Sequence, residues 1–231
     1  MNNLKVKLNW KISVAFISLM FLLHETHEIV HTTVGRIICG CWGFRDFNVW
    51  TLCEGCIEQK PYAIIATFAG PIYTFALVWL GYYWLTKPAS LTKKSFGFVL
   101  IFGNMPFARI LGALLGGGDE VFGLKKVLGN PTLGWVLGLI FVLICSIPPL
   151  IIAFKSIGYK KRWAWFLGFL ILPFVIDTIV VIGLLNTILQ TGFLKQEWIL
   201  GSPLFVTVWT IFVTIVFIIF KPNIGKLLTK E

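Results

Sequence analysis

Charged side chains are scarce in this chain. Only 13% of the 231 residues are Asp, Glu, Lys or Arg, against about a quarter in a soluble domain. With 57% hydrophobic residues and a mean hydropathy of +0.86, that shortage excludes an ordinary soluble domain and predicts an integral membrane protein in contact with lipid. No basic run with interleaved aromatics occurs, so the net charge of +10 is not the footprint of a nucleic-acid surface. In a membrane protein such an excess belongs to cytoplasmic loops beside anionic lipid. Repeats, low-complexity tracts and a separate soluble domain are also missing. Histidine is rarer still, with three in the whole chain, which argues against a di-iron membrane oxidoreductase built from many histidines. No small-x-small cleavage site follows the first apolar run, so that run is expected to remain as an uncleaved span.

What is present is a set of long apolar runs. A membrane-crossing helix needs about 20 mostly apolar residues. Runs of that kind occupy about Lys11–Thr33, Tyr62–Leu85, Ser95–Leu115, Leu133–Phe154, Trp163–Leu189 and Pro203–Phe220. They predict an all-α polytopic protein of about six spans, one domain over residues 1–231, with short connections except for Gly35–Pro61. The spacings Gly112 to Gly116 and Gly134 to Gly138 predict close helix packing. Lys and Arg divide unevenly between the two sides. Thirteen fall in the N-terminal stretch, the second and fourth loops and the C-terminal tail, and six fall on the opposite side. The positive-inside rule then predicts cytoplasmic termini in a plasma (inner) membrane.

All three histidines lie in FLLHETHEIVH, Phe21–His31, on the last third of the first span. Ionisable residues are costly in hydrocarbon and mark function when they occur there. His27-Glu28-Ile29-Val30-His31 fits HExxH. On a helix, residues four apart share a face, so His27 and His31 can reach one metal ion. Glu28 lies on the neighbouring flank, placed to take a proton from water rather than to ligate. Zinc brings the pKa of a water it binds toward about 7, and the resulting hydroxide attacks a carbonyl. The motif does not require His24, which fits a hydrogen bond to substrate, a partner to the site or a wall of a wet cavity, with a satisfied non-ligand role expected. Glu25 fits a solvated or interhelical contact.

Catalytic zinc takes three protein ligands and keeps one position open. No fourth histidine exists, so the third ligand is expected to be a carboxylate or Cys. Asp119, after Gly116-Gly117-Gly118, is the leading candidate, with Glu120 and Asp177 as rivals. The first and third spans both run outward and carry their polar groups at that end. The glycines let the backbone leave helical geometry there.

HExxH on one span and an Asp on a later one resemble the site-2 protease group of intramembrane metalloproteases. That group adds Gly-Pro-x-x-Asn and Asn-x-x-Pro-x-x-x-x-Asp-Gly. Here Gly70-Pro71-Ile72-Tyr73-Thr74 carries Thr at the Asn position. Asn104-Met105-Pro106 precedes Asp119 at a different spacing, and Glu120 rather than Gly follows it. The resemblance covers residues of about 20–120. It implies one catalytic Zn2+ held by His27, His31 and Asp119, Glu28 as general base, Asn104 as an accessory residue, and a membrane-protein substrate cut in or near its transmembrane segment. A non-hydrolytic metal transporter or sensor is the alternative.

The first loop carries Cys39, Cys41, Cys53 and Cys56. They can form two disulfides, a structural zinc site or remain thiols, and an external loop favours disulfides. Trp42, Phe44, Phe47 and Trp50 are expected at the membrane interface or around a substrate entrance. Arg36 and Arg45 are expected to pair with Asp46 rather than to stabilise an oxyanion, and Arg109 to pair with Asp177 or to snorkel. Cys145 reads as a packing residue.

Overall fold

The computed structural model describes residues 4–158 and 160–230. Six stretches among them are long and apolar enough to cross a membrane: Trp10–Cys39, Pro61–Thr86, Leu91–Leu114, Pro131–Ser156, Arg162–Gln190 and Leu204–Lys226. Each contains the corresponding run read from the sequence to within a residue or two, and the fold is that of a multi-pass membrane bundle. Local chemistry sets the ends. The first span is one helix, α1 (Trp10–Cys39), capped by Asn9, whose side chain accepts from Ile12 N–H. It stops at Gly40, whose φ of 88° few other residues tolerate.

The remaining elements are α2 (Cys56–Gln59), a 3₁₀ turn, α3 (Ala66–Thr86), α4 (Leu91–Gly103), α5 (Pro106–Leu114), α6 (Asp119–Leu128), α7 (Pro131–Ser156), α8 (Arg162–Asp177), α9 (Asn186–Gln190) and α10 (Leu204–Phe220). The third span is broken between α4 and α5. Met105 takes a left-handed backbone with φ 49°, and Pro106 starts the next helix. Proline disfavours helical geometry in the residue before it, so the break sits where the sequence demands it. The fifth span changes to π-helical pitch over Thr178–Leu185, directly after Asp177.

α1 is the central helix. Of its most apolar stretch, 61% is buried, against 17% for the last span, whose Ile211, Ile215 and Ile218 face outward. Phe16, Phe98 and Phe169 pack edge to face at one end of the core. At that same end, β1 (Leu4–Val6) pairs antiparallel with β2 (Leu228–Lys230). Leu4 O also accepts from Gly158 N–H, and Ser95 Oγ accepts from Leu228 N–H. The N-terminal stretch, the second and fourth loops and the tail therefore meet on one face, the lysine-rich one.

The opposite end is closed by the cysteine loop. Cys39 bonds Cys56 and Cys41 bonds Cys53, so these thiols form no metal site. Arg45 does not pair with Asp46 as expected. Its buried guanidinium donates to Glu25 at 2.9 Å and to Ser202 at 2.8 Å. Asp46 instead accepts from Asn48 and Val49 N–H, which tightens its own turn. Arg36 stands over Trp42. Phe47 is fully buried rather than interfacial.

The glycine expectations divide. A Cβ at Gly134 would stand 2.5 Å from Lys125 backbone, and one at Gly138 2.8 Å from Val121, so this pair seats α6 on α7. Gly112 meets nothing, and Gly116 serves a turn with φ 80°, so that pair does not pack helices. A contact as close as that at Gly134 joins α3 to α4, where a Cβ on Gly81 would lie 2.5 Å from Gly97 O. Gly81→Val should lower the thermal midpoint in detergent, with overpacking worth about 1–3 kcal/mol. Gly168→Ala, where nothing lies within 4 Å, should leave the midpoint within about 0.5 kcal/mol of wild type. Equal midpoints would show that the α3–α4 contact is not tight.

Candidate metal centre

The four-residue spacing on α1 is matched by a four-residue spacing on α3. Ala66, Gly70 and Thr74 fall on one face, and that face lies against His27 and His31. Ala66 O accepts from His31 Nδ1 at 2.7 Å. A carbonyl only accepts, so the His31 proton sits on Nδ1 and its Nε2 lone pair is free to bind. Thr74 Oγ1 stands 2.8 Å from His27 Nδ1 and can hold that ring in the same tautomer. Between them, a side chain on Gly70 would collide with His31 Nε2 and stand 2.6 Å from His27 Cε1. Thr26 and Tyr73 add a further α1–α3 bond at 3.0 Å. Trp50, from the cysteine loop, stacks on His31 at 4.5 Å with an interplanar angle of 9°.

Asp119 arrives from the other side. Gly116 and Gly118 both take φ near 80°, with values of 80° and 83°. They turn the chain so that Asp119 opens α6, at a helix N-terminus that favours a negative charge. His27 Nε2 and Asp119 Oδ2 are 3.1 Å apart, His27 Nε2 and His31 Nε2 3.1 Å, and His31 Nε2 and Asp119 Oδ2 3.5 Å. Ligands about 2.0–2.1 Å from a tetrahedral ion are about 3.3–3.4 Å from one another. The triangle therefore has the dimensions of a three-ligand metal site, and these residues can hold a metal ion.

Charge fits as well. Arg109 Nη1 donates to Asp119 Oδ2 at 3.0 Å, and its Nη2 lies 2.7 Å from His27 Nε2. Arg109 thus pairs with Asp119, not with Asp177 as the sequence led one to expect. Glu28, Asp119 and Glu120 against Arg109 leave two formal negative charges, which one divalent ion cancels. Burial pushes the Asp119 carboxyl up. Hydrogen bonds from His27 and His31 and the charge of Arg109 outweigh burial and hold it well below the usual carboxylate range.

The other candidates separate clearly. Glu28 is 6% exposed, and its Oε2 has no hydrogen-bond partner. Its side chain lines a cavity of about 640 Å³ shared with His24, His27, Asn104, Arg109, Asp119 and Asp177. A second groove runs between residues 48–58 and α6, and meets this cavity at Asn48, Trp50, Asp119 and Phe122. Glu120 is buried and faces Arg109 at 3.8 Å instead of the histidines. Asp177 binds His24 Nδ1 at 2.8 Å. Neither rival to Asp119 joins the triangle. Asn104 Nδ2 donates to Leu100 O, which caps α4, and its side chain borders the cavity. Glu25 is an interhelical contact, bonded by Arg45 and Thr210.

The sequence put Trp50 at the interface or a substrate entrance and Gly70 and Thr74 in the Gly-Pro motif, but none of the three in contact with the histidines. The signal available was the Ala66, Gly70, Thr74 spacing. It becomes informative only once the neighbour of α3 is known.

Thr74→Val removes the Nδ1 partner of His27 and should weaken divalent-ion affinity by about 10–100-fold. Gly70→Ala should weaken it at least as much, because the histidines must move. Chelator competition measures both. Wild-type affinity in Gly70→Ala would contradict the packing described.

Comparison of the chain with protein-family models, curated proteins and solved structures finds no match.

Proposed function

We propose that this chain is a membrane-embedded zinc metallopeptidase of the site-2 protease kind, acting on a membrane-protein substrate in or near its transmembrane segment. The observation that carries this reading is the unpartnered Glu28 carboxylate on the same cavity as the His27–His31–Asp119 triangle. When bound, zinc supplies a Lewis acid and lowers the pKa of water. Glu28 then accepts a proton from the attacking water as its oxygen bonds to the peptide carbonyl carbon. The carbonyl π pair moves to oxygen. On collapse the C–N bond breaks, its electron pair stays on nitrogen, and Glu28 returns the proton to the leaving amine. The cavity gives water a way to the site, and the adjoining groove gives an extended substrate segment a way in.

On this reading the chain lies in the plasma (inner) membrane with its termini in the cytoplasm and the metal centre toward the other side. Two features support that placement: the lysine-rich face gathers both termini, and the disulfides lie at the opposite end, as an oxidising compartment favours. A non-hydrolytic transporter or sensor shares the three ligands, but gives no reason for a buried carboxylate without a partner.

Glu28→Gln separates the two. It should keep the divalent ion at wild-type stoichiometry and lose about 10²–10⁴-fold in hydrolysis of dye-labelled casein by the detergent-solubilised chain. Undiminished hydrolysis in this variant would falsify the metallopeptidase reading.

A further inference from the structure

His24 and Asp177 form the one ionisable pair of the cavity wall that the proposed reaction leaves unused. His24 lies four residues before Glu28, so the two side chains share a face of α1. Both border the same cavity. His24 Nδ1 is 2.8 Å from Asp177 Oδ1, and the two side chains are 15% and 10% exposed. The carboxylate fixes a proton on Nδ1. Nε2 points elsewhere on the ring and makes no hydrogen bond to a described residue. Asp177 ends α8 at the point where the helix changes to π pitch, a departure frequent at functional sites.

A tie between α1 and α8 alone does not require this chemistry. A buried ion pair is often no more stabilising than packed apolar residues of the same volume. Other polar groups of the wall are already committed: Arg109 to Asp119 and Glu120, Asn104 to Leu100 O, Lys125 to Gly116 O. The open Nε2 therefore stands uncommitted beside the base, and it is a donor when the ring carries both protons.

We propose that His24 is a catalytic residue. Oriented by Asp177, it donates a hydrogen bond from Nε2 to the scissile carbonyl oxygen as that oxygen becomes an oxyanion. Asp177 is a positioning residue. The ring is then doubly protonated and paired with the carboxylate. It keeps its protons through the step: the water proton goes to Glu28 and on to the amine, and the C–N pair stays on nitrogen. The inference rests on the metallopeptidase reading. It extends that reading by naming the group that meets the charge developing on the substrate.

The test uses the zinc-loaded, full-length chain with dye-labelled casein and a capped Leu-Leu phosphinic peptide, an anionic tetrahedral probe. His24→Leu should lower kcat by about 10²–10³-fold, with KM and zinc content near wild type and a lower thermal midpoint, because Asp177 loses its partner. Affinity for the phosphinic peptide should fall by a similar factor. His24→Gln, which keeps an N–H donor, should recover part of both. Asp177→Asn should lower both without loss of zinc. If His24→Leu does not fold, His24→Ala is read in the same way.

With Glu28→Gln inactive, a His24 variant whose kcat and phosphinic-peptide affinity stay within twofold of wild type overturns this inference alone. A His24 effect confined to zinc content or midpoint also overturns it, because the residue is then structural. Hydrolysis surviving in Glu28→Gln instead removes the underlying reading.

Discussion

The contact between α1 and α3 at Gly70 is the constraint on which the site depends. Two imidazoles four residues apart reach one ion only if their rings turn the same way and their outer nitrogens are held. The α3 face does both: Ala66 O and Thr74 Oγ1 take the outer nitrogens, and Gly70 leaves room for the rings between them. Asp119 completes the triangle because the glycine turn and the seating of α6 on Gly134 and Gly138 bring it there. The central position of α1 follows, since its polar third must be enclosed by protein rather than lipid.

The charges in this apolar bundle obey one rule with one exception. Glu25 meets Arg45, His24 meets Asp177, and Asp119 meets Arg109. An isolated charge in such surroundings is costly, and pairing with hydrogen bonds removes most of the cost. Glu28 and Glu120 each bury a carboxylate oxygen without a hydrogen bond from the described residues, but Glu120 faces Arg109 at 3.8 Å, and Glu28, the exception, has no ion-pair partner among them. The paired residues also fasten the lid: Arg45 carries the cysteine loop onto α1 and α10, and that loop brings Trp50 against His31.

Much of this was legible in the sequence, for identifiable reasons. Span limits follow from runs of apolar residues, because crossing hydrocarbon imposes a length. HExxH was legible because its ligand spacing is a property of one helix. Asp119 was legible because the direction of successive spans puts it at the same end. Partner choice was not. Arg109 and Asp177 each announced a need for a counter-charge, but the break at Met105 and the turn at Gly118 give Arg109 to Asp119 and leave Asp177 to His24. Arg45 likewise goes to Glu25, a choice made by tertiary packing. Glycine spacing alone misled at Gly112 and Gly116 and missed Gly81 with Gly97, because only the neighbouring helix decides whether a small residue is needed.

The most direct measurement is an anomalous-difference map at the zinc absorption edge, from crystals of the metal-loaded protein. A metal centre built as described gives one strong peak about 2 Å from His27 Nε2, His31 Nε2 and an Asp119 carboxylate oxygen. A peak elsewhere in the chain, or no peak between those three residues at full zinc loading, would contradict it.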